Sequence, residues 1–167
     1  MKSIPSIVRA LSDECVAFVL VGGFAVQLHG FVRSTLDIDL VLSMDDANLE
    51  KFIEIGKRFG LAPVIPVPID TLKNAAQIDQ WHREKGMLAF ALREPGIAGS
   101  VIDVLVRSDV PYARLAADAL KMPLFGCQVA VASIDHLLEM KRIANRPKDR
   151  LDVEALEKIK RGDPPND

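Results

Sequence analysis

The sequence predicts an α/β (α+β) chain: a twisted mixed sheet flanked by helices, with a helical pair closing the C-terminus. Three observations point there. Short apolar runs alternate with helix-period segments through the first half of the chain. Two further runs flank a Glu94-Pro95-Gly96 turn and read as a hairpin. Ser133 and Pro147 head two amphipathic segments near the end of the chain.

Residues 16–21 are a continuous apolar run, expected as a buried strand. Gly22-Gly23 breaks the run, and residues 24–29 read as a short helix stopped by Gly30. Residues 36–42 are a second strand. Residues 43–46 supply capping groups for a helix to about Phe59, with Leu49, Phe52, Ile53 and Gly56 on one face. Residues 61–70 hold three prolines and read as an irregular loop with at most a short strand. A helix is expected over 75–85. Strands are expected over 86–92 and 101–106, with the turn 94–99 between them. Residues 112–120 read as helix and 124–132 as an edge strand. Ser133 caps a helix to about Ala144, and Pro147 opens the last helix to about Arg161.

A chain of 167 residues with 49% apolar content suits one compact domain with its own core. That domain is expected over 1–161, with a core at about 14–131, closing helices at about 133–161 and a disordered tail at 162–167. The net charge of −2 argues against broad non-specific nucleic-acid binding, which needs many cations to displace counterions. Cys15 and Cys127 lack metal-ligand spacing and read as buried free thiols. Residues 1–11 hold no signal-type apolar run, and no run reaches the length of a membrane span. A cytoplasmic protein is the expectation.

The chemistry concentrates between residues 21 and 41. In an extended chain the side chains alternate faces. Leu36, Ile38, Leu40 and Leu42 then share a core face, and Arg33, Thr35, Asp37 and Asp39 share the other. Two carboxylates so placed repel each other unless a positive charge lies between them. Magnesium is the simplest candidate, since it takes one or two carboxylates plus phosphate oxygens and water. Arg33 and Thr35 continue the same face and can reach phosphate oxygens. Upstream, Gly22 and Gly23 end a buried strand and open a helix, where backbone N–H groups approach an anion closely. Strand, glycine turn, helix and acidic strand together make a cradle for a nucleoside triphosphate.

Asp103 stands alone in the apolar run 101–106. A buried carboxylate is costly unless it is paired or metal-bound, and a third metal ligand is the favoured reading. Lys141 falls on the core stripe of its helix with Ile134, Leu137 and Leu138. Asp152 lies on the apolar face of the next helix with Leu156 and Ile159. Two readings stay open for this pair. Lys141 snorkels and Asp152 pairs with a neighbouring arginine. Alternatively, Lys141 faces the triphosphate while Asp152 orients Lys141 or Arg33. His29 ends the short helix near the proposed site and is a candidate lining residue. His82, His136 and Trp81 read as ordinary boundary side chains.

These residues resemble the polymerase-β-like nucleotidyltransferase superfamily. The resemblance rests on Gly22-Gly23, Asp37-Ile-Asp39 and a later Asp103. More narrowly, Val-Gly-Gly-x-Ala, His29-Gly30, Arg33-x-Thr35 and Asp37-Ile-Asp-Leu40 look like the small bacterial branch that contains AbiEii-type (type IV toxin) proteins. The stretches 135–141 and 146–152 are similar to that branch's closing helices. The chain is too short to carry the further helical domains usual in AbiEii-type toxins.

The resemblance implies a nucleotidyltransferase fold. It implies transfer of a nucleoside monophosphate from a triphosphate to a hydroxyl, with pyrophosphate leaving. It further implies two Mg2+ ions, or Mn2+ in their place, on Asp37, Asp39 and Asp103. Asp103 would take the hydroxyl proton. Gly22, Gly23, Arg33, Thr35 and Lys141 would position the triphosphate. The acceptor stays open among tRNA, a protein side chain and a small molecule such as an aminoglycoside. The competing reading is a catalytically silent antitoxin or adaptor of the same fold that binds a protein partner.

Overall fold

The computed structural model describes residues 4–96 and 99–165. Residues 1–3 of the N-terminal segment, 97–98 of the expected turn and 166–167 of the expected tail lie outside the described residues.

Helix α1 (Ile4–Asp13) buries Ile4, Ile7, Val8 and Leu11, an i, i+3, i+4, i+7 stripe that the sequence reading left unassigned. Strand β1 (Phe18–Val21) is buried throughout. Helix α2 (Gly22–Leu28) starts directly on the glycine pair, two residues earlier than expected. Strand β2 (Ile38–Leu42) follows after an extended segment, and helix α3 (Asp46–Phe59) is capped by Asp45. The proline-rich middle folds as a two-residue strand β3 (Ala62–Pro63) and a 3-10 helix (Ile69–Lys73). Helix α4 (Ala75–Lys85) leads to the hairpin strands β4 (Ala89–Arg93) and β5 (Val101–Leu105). Then come α5 (Tyr112–Ala117), β6 (Leu120–Leu124), β7 (Cys127–Val131), α6 (Ile134–Ala144) and α7 (Pro147–Arg161).

Among the described residues, seven strands form one mixed sheet in the order β3-β4-β5-β2-β1-β7-β6, flanked by seven α-helices. β1 runs antiparallel to β2 and parallel to β7, and β2 runs parallel to β5. The core covers both faces of β1 and one full face of β2 and β5: Val19, Leu20, Ile38, Leu40, Ile102 and Val104 have 0–1% of their surface exposed, while Asp39 and Asp103 on the other face border a cleft. Burial on this scale is the main stabilising term.

One buried polar residue fixes the register that matters for the site. Asn48 accepts from the Ala17 N–H at 2.7 Å and donates to the carbonyls of Ala17 at 2.9 Å and Ser43 at 2.8 Å. It ties the start of β1 to the end of β2. With those ends fixed, Val21 at the far end of β1 lies opposite Asp39.

Four expectations need correction. Leu36 is not a core residue: β2 begins at Ile38, and Leu36 is 79% exposed in the preceding segment. The single edge strand expected over 124–132 is a hairpin, with β7 inside the sheet and β6 at its edge. Lys121 and Pro123 hide β6 in the sequence, yet an edge strand accommodates both. The helix expected over 112–120 ends at Ala117, because residue 120 already belongs to β6. The cysteines are free but not buried: Cys15 is exposed at φ 53° in the turn after α1, and Cys127 is half-buried.

Candidate active site

Asp39 and Asp103 are direct register partners on parallel neighbours β2 and β5. Row partners on adjacent strands project to the same face, so these two carboxylates stand side by side. Asp37 precedes β2 and is exposed. All three border a cleft of about 410 Å3. Burial raises the Asp39 carboxyl to about 6, and the Asp103 and Asp37 charges push the same way, while Lys141 and Lys148 oppose them. Burial and the Asp37 charge raise Asp103 as well.

The glycine turn is shaped around these groups. Gly22 has φ +68°, and a Cβ there would sit 1.9 Å from Asp39 Oδ2. Only glycine combines that left-handed backbone with so close an approach. A Cβ on Gly23 would lie 3.1 Å from Arg33 Cζ and 3.2 Å from Thr35 Oγ1. The extended segment that carries Arg33 and Thr35 thus folds back over the start of α2. Gln27 holds it there by donating to the Arg33 carbonyl.

The opposite wall comes from the last two helices. Lys141 is 6% exposed, and its Nζ lies 3.0 Å from Asp149 Oδ1 and 2.8 Å from Asp152 Oδ2. Asp152, 1% exposed, also receives Arg33 Nη1. Arg33, Lys141 and Asp152 therefore form one charge network, buried at Lys141 and Asp152 and half-buried at Arg33. Lys141 does not snorkel, and Asp152 serves both Lys141 and Arg33.

The cleft is lined by Gly22, Gly23, Arg33, Thr35, Asp37, Asp39, Asp103 and Lys141 among others, bringing together eight of the residues singled out by sequence. Asp152 stands behind them through its two cations. His29 is not drawn in. Its Nε2 lies 2.8 Å from the Ala132 carbonyl, a tertiary contact invisible to local pattern, and it does not line the cleft. The sequence reading missed Arg146, Lys148 and Arg107 on the walls and Asp149 behind them. Asp149 was within reach of pattern reasoning, since it lies three residues before Asp152 on the same helix stripe.

Among the described residues, no three His, Cys, Asp or Glu side chains are arranged as a ready-made metal cage. The donor set still fits a hard divalent cation. It consists of carboxylates crowded on one cleft: Asp39 and Asp103 are both raised in pKa by burial, and neighbouring carboxylate charge adds to each. A cation of the magnesium type completes its shell with water and substrate phosphate rather than with a full protein cage.

Solved structures share this fold. The crystal structure of ANT(2")-Ia in complex with adenylyl-2"-tobramycin is similar with a TM-score of 0.57 and 14% identity, over 93% of this chain and 86% of that one. An antigenic nucleotidyltransferase-like protein from Paracoccidioides brasiliensis is similar with a TM-score of 0.54 and 18% identity, over 92% of this chain and 72% of that one. No family model and no curated protein matches the sequence. At these identities the likeness shows the fold, which is that of nucleotidyltransferases.

Proposed function

We propose that the chain is a metal-dependent nucleotidyltransferase of the polymerase-β-like superfamily. It moves a nucleoside monophosphate from a nucleoside triphosphate to an acceptor hydroxyl and releases pyrophosphate. The observation that carries the reading is the side-by-side placement of Asp39 and Asp103 in the same cleft as the buried Lys141. The fold shared with ANT(2")-Ia and with a nucleotidyltransferase-like protein supports it.

Asp37, Asp39 and Asp103 would hold the divalent cations, which when bound neutralise phosphate charge and polarise the reacting oxygens. Gly22 and Gly23 let the backbone approach the phosphates. Arg33 and Lys141, charged and held by Asp152, bind the triphosphate. Thr35 contributes a hydroxyl to the same wall. Asp103 accepts the proton of the attacking hydroxyl, a role that suits a carboxyl whose pKa is raised by burial and by the Asp37 charge.

Because one neighbour is solved with adenylyl-2"-tobramycin, ATP and polyhydroxylated small molecules are the first pair to test. The AbiEii-type kinship, a toxin–antitoxin setting and a cytoplasmic location belong to this proposal too. No helix among the described residues is long and apolar enough to cross a membrane. The test is calorimetric titration of each of the four common nucleoside triphosphates, with and without magnesium, into wild type and an Asp37→Ala/Asp39→Ala variant. Magnesium-dependent binding that the variant loses supports the reading; a wild type that binds none of them sinks it.

One observation favours a second reading, partner binding by a silent site. Val32 and Leu36, on the segment whose Arg33 and Thr35 line the cleft, are 80% and 79% exposed. Nucleotide binding without turnover on any acceptor, together with loss of partner binding on Val32→Ser/Leu36→Ser, would establish it.

A further inference from the structure

We infer that Asp149 is a positioning residue that holds the Arg146 guanidinium on the cleft wall as a further cation for the triphosphate. The inference rests on the nucleotidyltransferase reading and deepens it.

Asp149 is 1% exposed, and four donors converge on its carboxylate. Oδ1 receives Lys141 Nζ at 3.0 Å and Arg146 Nη2 at 3.2 Å. Oδ2 receives Arg146 Nε at 2.7 Å and the Arg146 backbone N–H at 3.1 Å. The backbone contact alone would cap α7. An arginine side chain has no acceptor to return, so only half of a capping box forms here. The remaining three contacts go to cations that line the cleft, and capping does not require them.

Arg146 itself has no structural reason to be still. Its side chain is 55% exposed, and a free arginine at that exposure samples many rotamers. Asp149 grips it side-on through Nε and Nη2, the fork geometry that a lysine cannot copy. Among the described residues no hydrogen bond takes the Arg146 Nη1 donors, and the group borders the same cleft as Asp39 and Lys141.

Charge completes the case. Two buried carboxylates, Asp149 and Asp152, hold three cations along one wall: Arg33, Lys141 and Arg146. The wall keeps a net positive charge, and Lys148 adds to it. It faces a cleft whose other side carries Asp37, Asp39 and Asp103. An anion with several charges, bridged to those carboxylates by cations, matches that layout. A nucleoside triphosphate has this chemistry, and a neutral ligand does not.

The test uses the full chain and whichever nucleoside triphosphate binds wild type with magnesium, titrated into Arg146→Gln, Arg146→Lys, Asp149→Asn and the Arg146→Gln/Asp149→Asn double variant. Arg146→Gln is expected to weaken binding by about tenfold to a hundredfold. Arg146→Lys restores only part of the loss. The double variant binds no more weakly than Asp149→Asn, because Arg146 is already unheld there. In turnover assays Arg146→Gln raises KM with kcat nearly unchanged. A purely structural Asp149 would instead lower the melting temperature and leave wild-type affinity in the folded fraction. If Asp149→Asn does not fold, Arg146→Gln decides alone, since its side chain is at the surface. Wild-type affinity in Arg146→Gln overturns the inference while leaving the nucleotidyltransferase reading intact, as do losses that multiply in the double variant. A wild type that binds no triphosphate overturns both.

Discussion

Lys141 Nζ lies 2.8 Å from Asp152 Oδ2, and neither side chain is more than 7% exposed. Ions this far from water stay in the fold only because each has its partner. Asp152 is shared with Arg33, so removing it strands one cation and weakens the hold on another. Asp152→Ala should therefore cost about 3 kcal/mol of stability, at the low end for breaking a buried pair because Lys141 keeps Asp149. Urea unfolding measures it. A loss no larger than that of an exposed salt bridge would show that water screens the network.

Gly22→Ala is expected to damage the site more than the fold. The left-handed φ of +68° costs about 1 kcal/mol for alanine. The new methyl also has to displace the Asp39 carboxylate, whose Oδ2 would lie 1.9 Å away. Triphosphate binding should fall to the level of an Asp39 variant, while the melting temperature drops by only a few degrees. Retained affinity would mean that Asp39 can turn aside without consequence.

Much of the site is legible in the sequence because charge and periodicity conflict there. Asp39 and Asp103 each interrupt an apolar strand, and Lys141 and Asp152 each occupy a core stripe. Physical chemistry demands a partner in every case. What sequence could not supply was depth along the chain. Leu36 continues the period-two pattern but lies beyond the end of β2. His29 ends the right helix, yet its ring is claimed by a carbonyl 103 residues away. Arg146 looks like an ordinary exposed residue until Asp149 is seen gripping it. Strand β6 carries edge-strand composition, which local propensity reads as loop.

Asp149 predicts the acid limit of the fold. Burial alone would raise its carboxyl, but hydrogen bonds from Arg146 and Lys141 outweigh burial and hold it at about 2, against 3.8 for the free group. The folded state therefore binds this proton less readily than the unfolded chain. Stability is present in full above pH ~4 and is lost as pH falls toward ~2, by about 2 kcal/mol for this one group. Asp149→Asn should lose the step between those values in a plot of unfolding free energy against pH. An unchanged step would assign acid sensitivity elsewhere.

Asp39→Asn is expected to separate function from stability. Without metal, burial above all, and then the Asp103 charge on the neighbouring strand, hold the Asp39 carboxyl up at about 6. The unfolded chain ionises that group near 3.8, so at neutral pH its charge works against folding. The amide keeps the shape and removes the charge. In a chelating buffer at pH 7 the variant should therefore be more stable than wild type by ~3 kcal/mol, and the difference should fade as pH falls to 4. Magnesium should reverse the order, because it stabilises wild type by binding only the folded carboxylates and has lost a ligand in the variant. With magnesium present, nucleotidyl transfer by Asp39→Asn should be abolished. Thermal melts with and without magnesium read the two effects independently. A variant less stable than wild type in chelator would mean that Asp39 is held by a structural partner and that the crowding of Asp39 with Asp103 carries no functional meaning.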